Sequence, residues 1–167
     1  MNTSFADIEK KENRKDLIIS ICVFLSGFSC FAQLYYFQPL LPDLAKDFIL
    51  SASESSFAIS FSTLGMVFGL FTTMFVADRI PRKKMIGTGL LSSSIFSVAA
   101  SFSPTFLPLI LLSAAKGFLL SGATSVSMAY IAEEVSSRNK GKIMGLYIAG
   151  NALGGMAGRD GSELSVY

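Results

Sequence analysis

The feature that most constrains this chain is a set of uninterrupted apolar runs, each near the length of a bilayer's hydrocarbon core. They cover residues 17–38, 56–77, 85–103, 106–132 and 143–158. A helix needs roughly 20 apolar residues to cross a bilayer, and soluble core helices are usually shorter. No Asp or Glu falls inside any of the five runs. They are continuous rather than alternating, which favours helices over a membrane barrel. The expected fold is therefore an all-α membrane protein with four complete transmembrane helices and a truncated fifth, since the last run has only 16 residues. Residues 1–16 read as a solvated head, residues 17–158 as the membrane domain, and residues 159–167 as a polar tail.

Composition removes other classes. Charged residues make up 16% of the chain, against roughly 25% in soluble domains. That excludes a soluble globule or a nucleic-acid module. With no His and only two Cys, a protein-built metal or haem site is not expected, and no cofactor is implied. Cys22 and Cys30 lie eight residues apart on one run, about 12 Å along a helix and beyond disulfide reach. Both are expected to be buried thiols packing as small apolar groups.

Basic residues sort the connections. The head carries Lys10, Lys11, Arg14 and Lys15, the first connection only Lys46, and the second Arg79, Arg82, Lys83 and Lys84. The third carries none and the fourth Arg138, Lys140 and Lys142. This alternation is a positive-inside pattern. It places the N-terminus and the second and fourth connections in the cytoplasm of a multi-pass plasma-membrane protein.

The second connection reads Ala77-Asp78-Arg79-Ile80-Pro81-Arg82-Lys83-Lys84 and follows a helix carrying Gly65 and Gly69. It resembles the cytoplasmic loop signature of the major facilitator superfamily, Gly-x-x-x-Asp-Arg-x-Gly-Arg-Arg. Asp78, Arg79, Arg82 and Lys83 keep their places, while Met74 and Pro81 stand where the signature has glycines. The resemblance implies a gating loop: a carboxylate at one helix end meets another helix's positive N-terminus, and the neighbouring guanidinium grips carbonyls or acids. Residues 34–45 resemble the outer end of the family's first helix. Gly150-Asn151-Ala152-Leu153-Gly154-Gly155 is similar to its antiporter signature Gly-Pro-x-x-Gly-Gly, with Asn151 in place of Pro. Independently of resemblance, Gly150, Gly154 and Gly158 share one helix face and suit close helix packing. Among family branches, the chain is most similar to bacterial inner-membrane sugar (arabinose) or drug efflux permeases.

Lys116 is the one charge deep in a run, roughly 15 Å from the nearer end and too deep for an easy snorkel. The family commonly has an Arg at the position of Ser113, four residues before the glycine that Gly117 matches. Lys116 sits three residues on, on nearly the same face. Intramembrane charges are functional candidates, and structural charges are the alternative. Gln33, Tyr36, Ser121, Thr124 and Asn151 join Lys116 as candidate substrate-cavity groups, because the family lines its cavity with the helices that carry them. Backbone or interhelical bonding is the competing use of such side chains. Glu133 and Glu134 are expected to be solvated or paired with the basic loop.

The resemblance implies secondary active transport of a small molecule such as a sugar or drug, by proton-linked antiport, and no enzyme activity. The expected partners are the lipid bilayer, a small-molecule substrate and protons, with no nucleic acid. The family has two six-helix halves built from inverted repeats. The chain is thus expected to be an N-terminal fragment that lacks its C-terminal half and is inactive alone. The competing class is a stand-alone multispan adaptor or a subunit of an oligomeric pore.

Overall fold

A computed structural model describes residues 2–160; the polar stretch 161–167 lies outside the described residues. Seven helices follow in order: α1 (Asn2–Tyr35), α2 (Leu41–Asp47), α3 (Ala52–Ser55), α4 (Phe57–Val76), α5 (Arg82–Ser101), α6 (Phe106–Glu134) and α7 (Lys140–Asp160). Five are long, and two short ones occupy the first connection. The described residues are otherwise turns, with no strand among them.

Local chemistry sets several of the boundaries. The Ser51 hydroxyl accepts from the Glu54 amide while the Glu54 carboxylate accepts from the Ser51 amide, a capping box that starts α3. Pro81, at φ −54°, immediately precedes α5. Its ring fixes φ and cannot supply the positive φ of a glycine turn, so the loop ends by nucleating a helix. Val135 turns extended and closes α6.

The structure corrects the expected boundaries. α1 runs unbroken from residue 2, so the head is helical and continuous with the first run, and the helix stops at Tyr35, before Pro39. α5 begins at Arg82 rather than 85 because the basic residues form its first turn. The fifth run belongs to a 21-residue helix, not a 16-residue one. Lys140 and Lys142 lie in its first turn and Arg159 and Asp160 in its last, so the helix exceeds the apolar stretch at both ends. Arg159 and Asp160, assigned to the polar tail, are helical. Among the described residues, three helices are long and apolar enough to cross a membrane by themselves, over Lys10–Tyr35, Ser53–Val76 and Phe106–Glu134. The serines of α5 and the glycines and lysines of α7 lower their apolarity, although each helix rises about 30 Å.

α6 is the central helix: α4 and α5 both pack along it, α1 packs along α7, and α1 meets α5 and α6 over smaller areas. Three apolar clusters stack along the bundle. Ile19, Val23, Ile131, Ile143 and Tyr147 lie near the end with the basic loops; Cys30, Leu120 and Ala123 lie midway; Phe37, Ala58, Ala100 and Leu109 lie at the opposite end.

The two tightest crossings share one device. On α4, Gly65 and Gly69 face the carbonyls of Ala114 and Phe118, and Gly117 of α6 faces the carbonyl of Ser62. On α7, Gly150, Gly154 and Gly158 face the carbonyls of Phe24, Phe28 and Ala32 on α1. A Cβ at Gly150 would stand 2.5 Å from the Phe24 oxygen, and one at Gly158 2.7 Å from that of Ala32. Only a missing side chain permits such approach. Gly155 differs: a Cβ there would stand 3.3 Å from the ring of Tyr35, a tight contact with a side chain rather than a backbone.

Candidate functional site

Lys116 lies on α6 with 1% of its surface exposed. Its Nζ donates to the Gln33 carbonyl at 3.0 Å and stands 4.3 Å from the centre of the Phe37 ring. That carbonyl belongs to the last turn of α1, where backbone donors run out. The following amides of Tyr36 and Gln38 bond Ala32 and Tyr35, and the Phe37 amide does not reach Gln33. The Gln33 side chain is also engaged. Its Oε1 accepts from Ser93 at 3.0 Å and Ser97 at 3.4 Å, and its Nε2 donates to Ser29 and Ser94. Lys116 and Gln33 are therefore brought together, through backbone rather than side chain.

The other cavity candidates divide. The Ser121 hydroxyl donates to the Phe118 carbonyl and packs against Gly69. Thr124 donates to the Leu120 and Ser121 carbonyls. Both hydroxyls are satisfied within α6 in the way that competes with ligand binding. Tyr36 and Asn151 line cavities. Tyr36 lines a 370 Å³ cavity with Gln33, Ser97 and Ser101, and a 330 Å³ one with Phe37, Asp43 and Asp47. Asn151 lines a 450 Å³ cavity with Phe31, Tyr35 and Arg159, and its buried Oδ1 has no hydrogen-bond partner. That oxygen packs against Gly27 of α1, where a Cβ would stand within contact distance of it, so it lies at the α1–α7 crossing.

At the basic end, Arg82 makes a bidentate pair with Glu133 at 2.5 and 2.6 Å, and Lys15 meets Glu134 at 2.7 Å. The two glutamates at the end of α6 thus bind α5 and α1, which offsets acids at a helix's negative C-terminus. Asp78, Arg79 and Lys83 are exposed and line a 530 Å³ groove with Tyr130 and Glu133. Of the four loop residues singled out, only Arg82 is bonded through its side chain within the described residues.

Sequence reasoning missed several participants. Asp16, assigned to the solvated head, is buried, and its Oδ2 accepts from Ser136 at 2.6 Å and Asn139 at 2.8 Å. Those bonds hold its carboxyl below the usual value, Ser136 contributing most. They tie the start of the first run to the α6–α7 corner. Cys22 is exposed on the outside of α1, against expectation, while Cys30 is buried as expected. Cys22 follows the exposed Leu17, Ile18 and Ile21, on the face that no other helix covers. Arg159 donates to the Gln38 side chain at 2.8 Å and lies 5.2 Å from the Tyr35 ring. The serine-rich sequence of α5 was the available signal for the Gln33 network.

Residues 20–159 match the family model described as Major Facilitator Superfamily. A protein of Buchnera aphidicola subsp. Schizaphis graminum named "Uncharacterized transporter" is 40% identical over 91% of this chain and 37% of its own length. "Inner membrane transport protein YnfM" of Escherichia coli K12 is 37% identical over 84% of this chain and 34% of its own. "Uncharacterized MFS-type transporter YybF" of Bacillus subtilis is 34% identical over 84% and 35%. The chain spans little more than a third of the length of these curated relatives. No solved structure matches it.

Proposed function

Because this multi-pass membrane chain belongs to the Major Facilitator Superfamily, we propose that it serves secondary active transport of a small molecule across the bacterial inner membrane. The direction is efflux, coupled to protons by antiport, with the basic end of the bundle in the cytoplasm. The substrate is a small solute of the sugar or drug kind. Helices from the remainder of a relative-sized protein supply the facing wall of the cavity. The observation that carries this reading is the 450 Å³ cavity between α1 and α7, walled by Phe31, Tyr35 and Ile148 with Asn151 and Arg159 as its polar lining. Apolar walls with a few convergent polar groups are the ordinary form of a small-molecule site. Tyr36 supports it from the cavities on the other side of α1. Asp78 and Arg79, which line the basic groove, would meet a second element there.

The test uses everted membrane vesicles, energised with a proton gradient, from cells expressing this chain joined to the remaining helices of a full-length relative, since the chain alone is expected to be inactive. A panel of sugars and drugs is added while a pH-sensitive dye reports the gradient. Dissipation by at least one solute, reduced when Asn151→Leu is introduced, is the expected result. A gradient indifferent to every solute, with no solute accumulation by direct assay, overturns the reading.

A further inference from the structure

We infer that Lys116 is a positioning residue, a clamp that fastens the last turn of α1 to α6 through the Gln33 carbonyl. The need is reciprocal. A carbonyl without a donor inside a membrane bundle is costly, and so is an ammonium without compensation. Among the described residues no carboxylate bonds Lys116. What faces it instead is the Gln33 oxygen at 3.0 Å, at the negative C-terminal end of α1, and the π face of Phe37 at 4.3 Å. Both suit a cation. A neutral side chain of similar size would fill the space and satisfy neither.

The position of this contact gives it consequence. α1 packs mainly on α7, and α6 carries α4 and α5, so the bundle consists of a helix pair and a helix trio. At the basic end the two parts are held by Lys15–Glu134 and by Asp16 with Ser136 and Asn139. Toward the opposite end the polar contacts are Lys116 to Gln33 and the Gln33 side chain to the serines of α5. Lys116 also fixes the backbone from which that Gln33 side chain projects. The clamp thereby sets where Tyr36 stands at the cavity mouths, without itself touching a solute.

Two native features make this testable on the chain as it is, in lipid nanodiscs and independently of transport. Cys30 is sealed between α1 and α6 beside Leu120 and Ala123, three residues before Gln33. In a Cys22→Ser background it reports opening of that contact through its reaction rate with a membrane-permeant maleimide. The chain has only two glutamines, so carbonyl-labelled glutamine in a Gln38→Glu background reports the Gln33 carbonyl alone by infrared spectroscopy. Lys116→Met is expected to raise the Cys30 rate roughly tenfold, as loss of a bond to a charged group implies, and to move the Gln33 band to higher frequency. Lys116→Arg is expected to restore both, since a guanidinium donates to carbonyls and lies on aromatic rings. If Lys116→Met fails to insert, Phe37→Leu carries the test, with a roughly threefold rise from losing the ring's attraction. An unchanged rate and band in Lys116→Met, or an arginine variant indistinguishable from methionine, overturns the inference. So does an unchanged rate in Phe37→Leu where that variant stands in.

Discussion

The glycine crossings make the most quantitative prediction, and α7 contains its own control. In Gly150→Ala the new Cβ would stand 2.5 Å from the Phe24 carbonyl oxygen and 3.2 Å from the Phe24 ring. Ordinary contact begins at 3.4 Å, so the shortfall at the oxygen is 3.4 − 2.5 = 0.9 Å. The oxygen is backbone in a helix and cannot swing aside, so α1 and α7 must separate by about that much. A gap of this size forfeits a quarter to a half of the attraction at each affected contact. Overpacking of this kind costs about 1–3 kcal/mol, and the helix preference for Ala over Gly returns about 0.5–1 kcal/mol. The net expectation is destabilisation of roughly 1 kcal/mol, within a span of about 0–2.5 kcal/mol. Gly145→Ala, on the same helix, meets nothing within 4 Å and is expected to be neutral or slightly stabilising. Both variants would be compared in bicelles by steric trapping, with a donor–acceptor distance between α1 and α7. Equal stability of the two variants, or a Gly150→Ala protein with an unmoved α1–α7 distance, would refute this account of the crossing.

Three further outcomes follow from individual contacts and from burial. Asp16→Ala removes the acceptor for Ser136 and Asn139 and is expected to cost about 1–3 kcal/mol at neutral pH. Because hydrogen bonds from Ser136 and Asn139 hold the native carboxyl below the usual carboxylate range, its contribution is complete above that range and fades as the pH falls through the lower native value. Acid titration of unfolding should show this dependence in the wild type and not in the variant. A double-mutant cycle of Arg82→Ala with Glu133→Ala should give a coupling of about 0.2–1 kcal/mol, since the pair is partly solvated. In detergent, a small maleimide should modify Cys22 rapidly and Cys30 slowly, because only the first is exposed; equal rates would contradict the burial of Cys30.

The helices were legible because hydropathy and the bilayer set their minimum length, and the family was legible from Asp78-Arg79 and the glycine spacing. Boundaries were less so. Charged residues can begin or end a helix while lying outside its apolar part, as Arg82, Lys140 and Arg159 do. Burial within a run was also hidden, because lipid-facing and helix-facing positions are both apolar. Cys22 and Cys30 look alike in sequence, and only the packing of α1 separates them. Lys116 was conspicuous as a lone charge, but its partner was not, because a backbone carbonyl leaves no signature in residue identity. Asp16 was unremarkable for the opposite reason: a carboxylate at the edge of a basic head looks solvated until Ser136 and Asn139, more than a hundred residues away, are folded against it.

The account rests on one bundle with its basic loops all at one end and that end inside the cell. Single cysteines at Ser53, Arg79, Thr105 and Ser137, each exposed in a connection, would be placed in a cysteine-free background. Intact cells would then be treated with a membrane-impermeant maleimide. The prediction is labelling at positions 53 and 105 in intact cells, and at 79 and 137 only after permeabilisation. Labelling of 79 or 137 from outside, or of one basic loop but not the other, would contradict it.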